Sequence, residues 1–181
     1  LSFADVRLYQ YGGEYVLDGE WRFADGQSPG RLDLTLNTRS GRLPELLAVL
    51  NLPLPAAGRL YGEMRFFGPL NDVAAQGDIE LVEAVIWDQP LDRVTGAFAW
   101  DGRRVTLDGV QAALGTGAAS VNGQVDAENG GLNIAFSASD WPLGFTYHFD
   151  AALGHLIGGM VDVPAARPGG TLQDPVLTAD I

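Results

Sequence analysis

Apolar and polar residues alternate along several stretches of this chain with a period of two, which is typical of β-strands that bury one face. The segment RLDLTLN at 31–37 alternates without an error, and EWRF at 20–23, EMRF at 63–66, VTGAFAW at 94–100 and LNIAF at 132–136 follow the same rule. The residues assigned in this way to a shared apolar face are Trp21, Phe23, Leu32, Leu34, Leu36, Met64, Phe66, Phe98, Trp100, Leu132, Ile134 and Phe136.

Further strands are predicted between these stretches. They are EYVLDG at 14–19, AQGDIELVEAVIW at 75–87, RRVTLDGV at 103–110 and GAASVNGQVD at 117–126. The dipeptide Asp101-Gly102 follows an alternating stretch and predicts a two-residue hairpin turn in which both residues take positive φ.

Two segments interrupt the alternation. In SGRLPELLAVL at 40–50, Pro44 fits a first helical turn and the apolar stripe behind it is too dense for a strand, so we predict a short helix. The segment SDWPLGFTYHFDAALGHL at 139–156 holds the corresponding place about a hundred residues later and predicts a second helical or irregular cap.

One phrase occurs twice in the chain. GPLNDVAAQGDI at 68–79 and GTLQDPVLTADI at 170–181 share Gly, Leu, Asp, Asp and Ile at the same offsets, 102 residues apart (Gly68 to Gly170). A period this long predicts a repeat array. We therefore divide the chain into the end of a preceding repeat (1–40), one complete unit (41–140) and the truncated start of the next (141–181), and expect it to be a segment of a longer protein.

Composition narrows the function classes. Twenty-four glycines and ten prolines indicate many strands joined by tight turns, and a hydrophobic fraction of 46% argues against a disordered linker. The net charge of −12 argues against binding to nucleic-acid backbones or to an anionic membrane surface, so any lipid would have to be held by its tails. The absence of cysteine removes thiol catalysis and zinc-thiolate sites.

The sequence gives little support for a catalytic or metal-binding site. Ser139, Asp140 and His148 lack the G-x-S-x-G elbow of a hydrolase, and the pair His148 and His155 lacks further metal ligands nearby. GTGAAS at 115–120 is better explained as a turn entering a strand than as a nucleotide-binding loop. We therefore predict no catalytic residue, no metal site and no cofactor.

Two other sets of residues have a functional and a structural interpretation. Tryptophans 21, 87, 100 and 141 fit either a sugar-binding cleft or the filling of a core or trough, and we favour the second. The acidic residues Asp72, Asp78, Glu80 and Glu83 lack the ligand spacing of a calcium loop, so a solvated outer face explains them better.

Three longer segments resemble the TamB and AsmA-like family of bacterial envelope proteins. They are LYGEMRFFGPLNDVAAQGDIEL at 60–81, LDRVTGAFAWDGRRVTLDGVQAALGTGAASVNGQVD at 91–126 and IGGMVDVPAARPGGTLQDPVLTADI at 157–181. The shared features are a G-x-L corner, which continues with Val73 in the first copy and with Pro175 in the second, followed by a hairpin and a G-x-G strand.

The resemblance implies an all-β fold, with an elongated, curled antiparallel or mixed sheet shaped like a taco, an open apolar groove and one or two short helices. It also implies the periplasmic portion of a protein anchored in the inner membrane, which is non-enzymatic and takes part in lipid transport from the inner to the outer membrane and in outer-membrane biogenesis. The groove would hold phospholipid acyl chains between the residues of the apolar face. An Omp85-type barrel in the outer membrane is the implied partner of the full-length protein.

Two other functions remain open at this point. Within the same family, a translocation and assembly module would act like a chaperone, pairing its strand edges with outer-membrane or secreted client proteins. A closed β-sandwich that acts as an adhesin or a carbohydrate-binding module would show the same alternation.

Overall fold

The protein is almost entirely β-structure in a computed structural model that describes residues 1–10, 12–25, 29–49, 54–86, 88–126, 128–142, 159–171 and 175–179. The strands are β1 (Ser2–Gln10), β2 (Gly13–Arg22), β3 (Arg31–Arg42), β4 (Ala56–Pro69), β5 (Ala74–Ile86), β6 (Gln89–Trp100), β7 (Arg104–Leu114), β8 (Gly117–Asp126), β9 (Leu132–Pro142), β10 (Met160–Gly170) and β11 (Pro175–Ala179). Helix α1 (Leu43–Val49) lies between β3 and β4.

All the strands belong to one open, curled sheet of 11 strands, whose spatial order is the order of the chain. Every strand pair in it is antiparallel. The predicted all-β, curled sheet is therefore confirmed, in its purely antiparallel form. The described residues contain no second sheet, so they do not form the β-sandwich considered as an alternative.

Helix α1 confirms the helix predicted for residues 40–50, with Pro44 in its first turn. Leu43, Leu46 and Leu47 are buried and belong to the same apolar cluster as the sheet. The hydroxyl group of Tyr15 in β2 donates a hydrogen bond to Glu45 Oε2 at 2.9 Å, which joins the helix to the sheet. Burial and this hydrogen bond both raise the pKa of Tyr15.

Several predictions fall outside the described residues. They concern Trp87, His148, His155 and most of the second predicted cap.

The predicted hairpin after β6 forms, but its turn differs from the prediction. The amide of Asp101 donates to the carbonyl oxygen of Arg104, so the two central residues are Gly102 and Arg103. Only Gly102 has positive φ (90°), and the Asp101 side chain instead accepts the Arg103 and Arg104 amides at 3.0 and 2.6 Å. The prediction that Asp101 itself takes positive φ was wrong, because its carboxylate is used as a cap for the turn.

Bulges bend alternate strands of the sheet. The register shifts in these strands coincide with residues of positive φ, which are Asp5 in β1, Ser40 in β3, Glu83 in β5, Gly109 in β7 and Asp140 in β9. In three of these strands the backbone amide of the bulged residue donates a hydrogen bond to a side chain on the next strand. These bonds join Asp5 to Asp18 (2.8 Å), Gly109 to Asn122 (2.7 Å) and Asp140 to Asp162 (2.9 Å). Because a bulge increases local twist and bend, this recurring arrangement accounts for much of the curl.

A glycine in β4 permits the backbones of β4 and β5 to approach each other closely. Gly62 has φ of +137°, and a Cβ atom at this position would collide with the carbonyl oxygen of Asp78 on β5. Only glycine accommodates both the dihedral angle and the contact.

The two copies of the repeated phrase begin at corresponding places in the sheet, each at the end of a strand. The first begins at Gly68 and leads from β4 into β5, and the second begins at Gly170 and leads from β10 into β11. The predicted unit boundaries at residues 40 and 140 fall inside β3 and β9, so the sheet continues across both. The repeats, as predicted units, would thus share one continuous sheet.

Candidate functional site: the apolar face of the sheet

The strand register places the predicted apolar residues on one side of the sheet, which we call the apolar face. One row of directly paired positions crosses this face from β1 to β9 and consists of Val6, Leu17, Leu36, Met64, Gly77, Phe98, Leu107, Gly123 and Ile134. The neighbouring row contains Leu34, Phe66, Trp100 and Leu132. The predicted lining residues that belong to strands all lie on this face, and Phe23, just after β2, extends it by stacking on Trp21 with ring centroids 5.4 Å apart.

The apolar face is a packed core where it crosses β4 to β9. Met64 is 1% exposed and Phe98 is 6% exposed. Both belong to one buried cluster with Leu60, Leu81 and Val105. Side chains in a single-layer sheet lose their exposure in this way when the sheet curls over them, which makes the apolar face the inner side of the curl.

The same face is open where it crosses β1 to β3, and we call this part the open end. Its apolar side chains are half-buried or exposed, and apart from Leu36 none of them packs against the buried cluster. Leu8 on β1 is 52% exposed and Phe23 beyond β2 is 61% exposed. The residues of the open end are Phe3, Val6, Leu8, Leu17, Trp21, Phe23, Leu32 and Leu34.

The predicted lining residues therefore divide into three groups. Met64 and Phe98 lie inside the packed core. Half-buried residues that pack against this core are Leu36, Phe66, Trp100, Leu132, Ile134 and Phe136. Trp21, Phe23, Leu32 and Leu34 lie on the open end, where an apolar ligand would meet the least resistance.

Three residues of β1 belong to the open end but have no clear signal in the sequence. Phe3 and Val6 face the same side although they are three residues apart, because the bulge at Asp5 inserts an extra residue between them. A bulge breaks the period of two, so alternation alone does not detect this strand. Leu8 follows Val6 at the normal spacing.

Four buried polar atoms on the apolar face have no hydrogen-bond partner in the described part of the chain. They are the indole Nε1 atoms of Trp21, Trp100 and Trp141 and the hydroxyl oxygen of Thr38. Thr38 is 3% exposed and Trp141 is 4% exposed. Unpaired groups at this depth are uncommon, since a buried donor without an acceptor destabilises the fold.

Replacing Thr38 by valine is expected to stabilise the protein. Valine has nearly the same shape and removes a buried hydroxyl that has no partner, so the free energy of unfolding should rise by about 1 kcal/mol. The measurement is urea unfolding followed by circular dichroism. Thr35→Val, on the opposite face of the same strand, is the matched control and should change stability by less than about 0.5 kcal/mol. A loss of stability in Thr38→Val would show that the hydroxyl is satisfied.

The other face of the sheet is polar and carries ion pairs between neighbouring strands. Arg65 donates two hydrogen bonds to Asp33, at 2.8 and 2.9 Å, and these bonds lower the pKa of Asp33. Glu80 pairs with Arg93 at 2.7 Å and Glu83 with Arg59 at 3.3 Å. Because these pairs are exposed, they keep this face solvated and contribute little to stability.

The remaining candidate chemistry gains no support from the geometry. Residues 115–120 form the turn between β7 and β8 and the start of β8, as predicted. Ser139 and Asp140 are exposed, and the amide of Asp140 is used in a bulge. Within the described ranges, no group of three or more His, Asp or Glu residues is arranged to hold a metal ion. Nor does any described helix have the length and hydrophobicity needed to cross a membrane.

Comparison with known proteins adds no identification. No family model matches this chain, and no match is found among curated proteins or among solved structures.

Proposed function

We propose that this chain is a segment of a TamB or AsmA-like periplasmic protein, and that its apolar face holds phospholipid acyl chains during transport between the inner and outer membranes. The observation that carries the proposal is the open end, where one sheet with a single apolar face leaves large side chains uncovered. In this role the chain is a non-enzymatic part of outer-membrane biogenesis.

The energetics and dimensions suit such a ligand. Each methylene group removed from water contributes about 0.8 kcal/mol, so an acyl chain gains affinity without a specific polar site. Eleven strands at about 4.8 Å spacing extend over a distance on the order of 50 Å, which is longer than the hydrocarbon core of a bilayer. Repeats in series would extend the same face across an aqueous compartment.

The charge distribution favours binding by the tails. The chain has a net charge of −12, and its arginines are exposed in every described case. An anionic headgroup near this protein would be repelled overall, whereas acyl chains against the apolar face would not.

The chaperone-like role is the second candidate, and a specific feature favours it. Within the described residues, the sheet is open and is not closed on itself. An extended client segment would add to such a sheet by backbone hydrogen bonding. Leu8 and Tyr9 on β1 are 52% and 72% exposed and would be available to contact it.

Capture of acyl chains from vesicles tests the proposal. We expect phospholipid vesicles with brominated acyl chains to quench tryptophan fluorescence, because bromine atoms would come close to Trp21 on the open end. Vesicles of the same phospholipid without bromine are the control for scattering and for the presence of lipid. Trp21→Phe should remove a large part of the quenching.

The same protein is then separated from the vesicles by gel filtration and extracted with organic solvent. Mass spectrometry of the extract should find phospholipid. Absence of both quenching and extracted lipid would reject the proposal, and binding of an unfolded outer-membrane protein under the same conditions would then favour the chaperone-like role.

A further inference from the structure

The four unpartnered polar groups on the apolar face have a common chemistry. The three indole groups can only donate hydrogen bonds, and the Thr38 hydroxyl group can also donate one. What this face lacks is therefore an acceptor. The polar face has many carboxylates, yet none of them reaches these donors.

The donors are distributed along the sheet. Trp21 lies on β2, Thr38 on β3, Trp100 on β6 and Trp141 on β9. Thr38, Trp100 and Trp141 thus lie three strands apart but in different rows of the sheet, since the row that contains Thr38 crosses β6 at Gly96, four residues from Trp100. Different parts of the apolar face therefore each hold a donor.

Three of the donors lie beside small residues of the adjacent strand. Thr38 is paired with Gly62, and Trp100 is paired with Ala75. Gly117 lies against Trp141, close enough that a Cβ atom at Gly117 would come within 3.2 Å of the Trp141 Cα atom. These small residues allow close backbone approach beside three of the donors, since a Cβ atom at Gly62 or Gly117 would collide with the adjacent strand.

The missing acceptor must be neutral. The chain has no lysine and each of its arginines is exposed, so no lysine or arginine charge is buried on the apolar face. A carboxylate or phosphate placed there would lose its hydration without gaining a counter-charge. An ester carbonyl accepts hydrogen bonds, has no donor of its own and costs much less to remove from water.

We infer that the apolar face binds ester-linked acyl lipids, with the ester carbonyl oxygens accepting hydrogen bonds from the unpartnered indole and hydroxyl groups. This inference rests on the proposed function and adds the class of ligand. The four donor atoms are enclosed and have almost no contact with solvent. The lipid therefore enters by separating the groups around them, and the unpaired donors favour that opening because it gives them an acceptor.

A matched pair of lipids tests the inference. Diacyl phosphatidylcholine and its dialkyl ether analogue have the same headgroup and chain length, and they differ in the two carbonyl groups. We expect the wild-type protein to bind the diacyl lipid about tenfold more tightly, as measured by competition against a brominated phospholipid in the fluorescence assay.

Variants assign the preference to the donors. Trp100→Phe keeps an aromatic ring without the N–H group, and Thr38→Val keeps the side-chain shape without the hydroxyl. In the double variant, the preference for the diacyl lipid should fall to about twofold or less. Phe66→Leu is the control, since it changes apolar volume without removing a donor and should weaken both lipids to a similar extent.

Each outcome has a definite meaning. Equal affinity of the wild-type protein for the two lipids would overturn the ester inference and leave the proposed function intact. Binding of neither lipid would reject the proposed function and the inference with it. A preference that survives in the double variant would also overturn the inference, because the carbonyl groups would then be recognised by other residues.

Discussion

Phe98→Asp is expected to unfold the protein. Phe98 is 6% exposed in the middle of the buried cluster, so the change removes an aromatic side chain from the core and places a carboxylate there. The combined loss should exceed about 5 kcal/mol, which equals the whole stability of a marginally stable domain. Circular dichroism at 25 °C should show loss of the β-sheet signal, or at least a large fall in the urea midpoint.

Leu34→Asp makes the same kind of change on the same face and is the comparison. Leu34 is half-buried on the open end and does not pack against the buried cluster, so the carboxylate keeps contact with water. We expect a loss of about 1–2 kcal/mol, retention of the fold and a large decrease in lipid capture. If Leu34→Asp and Phe98→Asp were equally destabilising, the open end would have to be closed in solution.

Gly62→Ala is expected to destabilise the protein by about 3 kcal/mol or more. The backbone at Gly62 has φ of +137°, which side-chain-bearing residues rarely adopt, and the new methyl group would collide with the carbonyl oxygen of Asp78 on the adjacent strand. The β4–β5 pair would have to separate locally. Thermal unfolding measures the effect as a lower midpoint.

Gly115→Ala separates the effect of the dihedral angle from that of the collision. Gly115 also has positive φ (59°), but a Cβ atom there has nothing within 4 Å. Gly115→Ala should therefore lower the free energy of unfolding by about 1 kcal/mol. Equal costs at the two positions would mean that β4 and β5 are not as close at Gly62 as the geometry requires.

Much of the fold is predictable from the sequence because alternation depends only on which face is buried. The stretch at 31–37 lies inside β3, and the helix around Pro44 forms where the alternation stops. The strands are longer than the alternating stretches that predicted them. Backbone pairing continues into residues whose side chains do not alternate between apolar and polar. β4, for example, extends over Ala56–Pro69, while only 63–66 alternate clearly.

The details that shape the apolar face were not predictable in the same way. The bulges at Asp5 and Gly109 depend on hydrogen bonds to Asp18 and Asn122, which lie 13 residues away. The hairpin turn after β6 is decided by capping from Asp101, which competes with the turn type that the dipeptide favours. Such competition between local interactions has no signature in composition or period.

The division of the apolar face into a packed core and an open end also required the structure. Phe98 and Leu34 have equivalent positions in their alternating stretches, yet one is buried and the other is half-buried without contact to the core. The difference arises from how the sheet curls over each position. The unpartnered indole groups are likewise invisible in the sequence, because tryptophan alone does not indicate whether its N–H group has an acceptor.

Among the described residues, each strand of the sheet hydrogen-bonds only to the strands next to it in the chain, so the architecture behaves as a nearly one-dimensional lattice. Adding or deleting one pair of strands leaves the orientation of every other strand unchanged, and the cost is confined to the junction. The length of such a protein is thus free to vary in steps of one hairpin, about 10 Å at a time. In the proposed role, duplication of hairpins would match the length of the protein to the width of the gap between the membranes without redesigning a core.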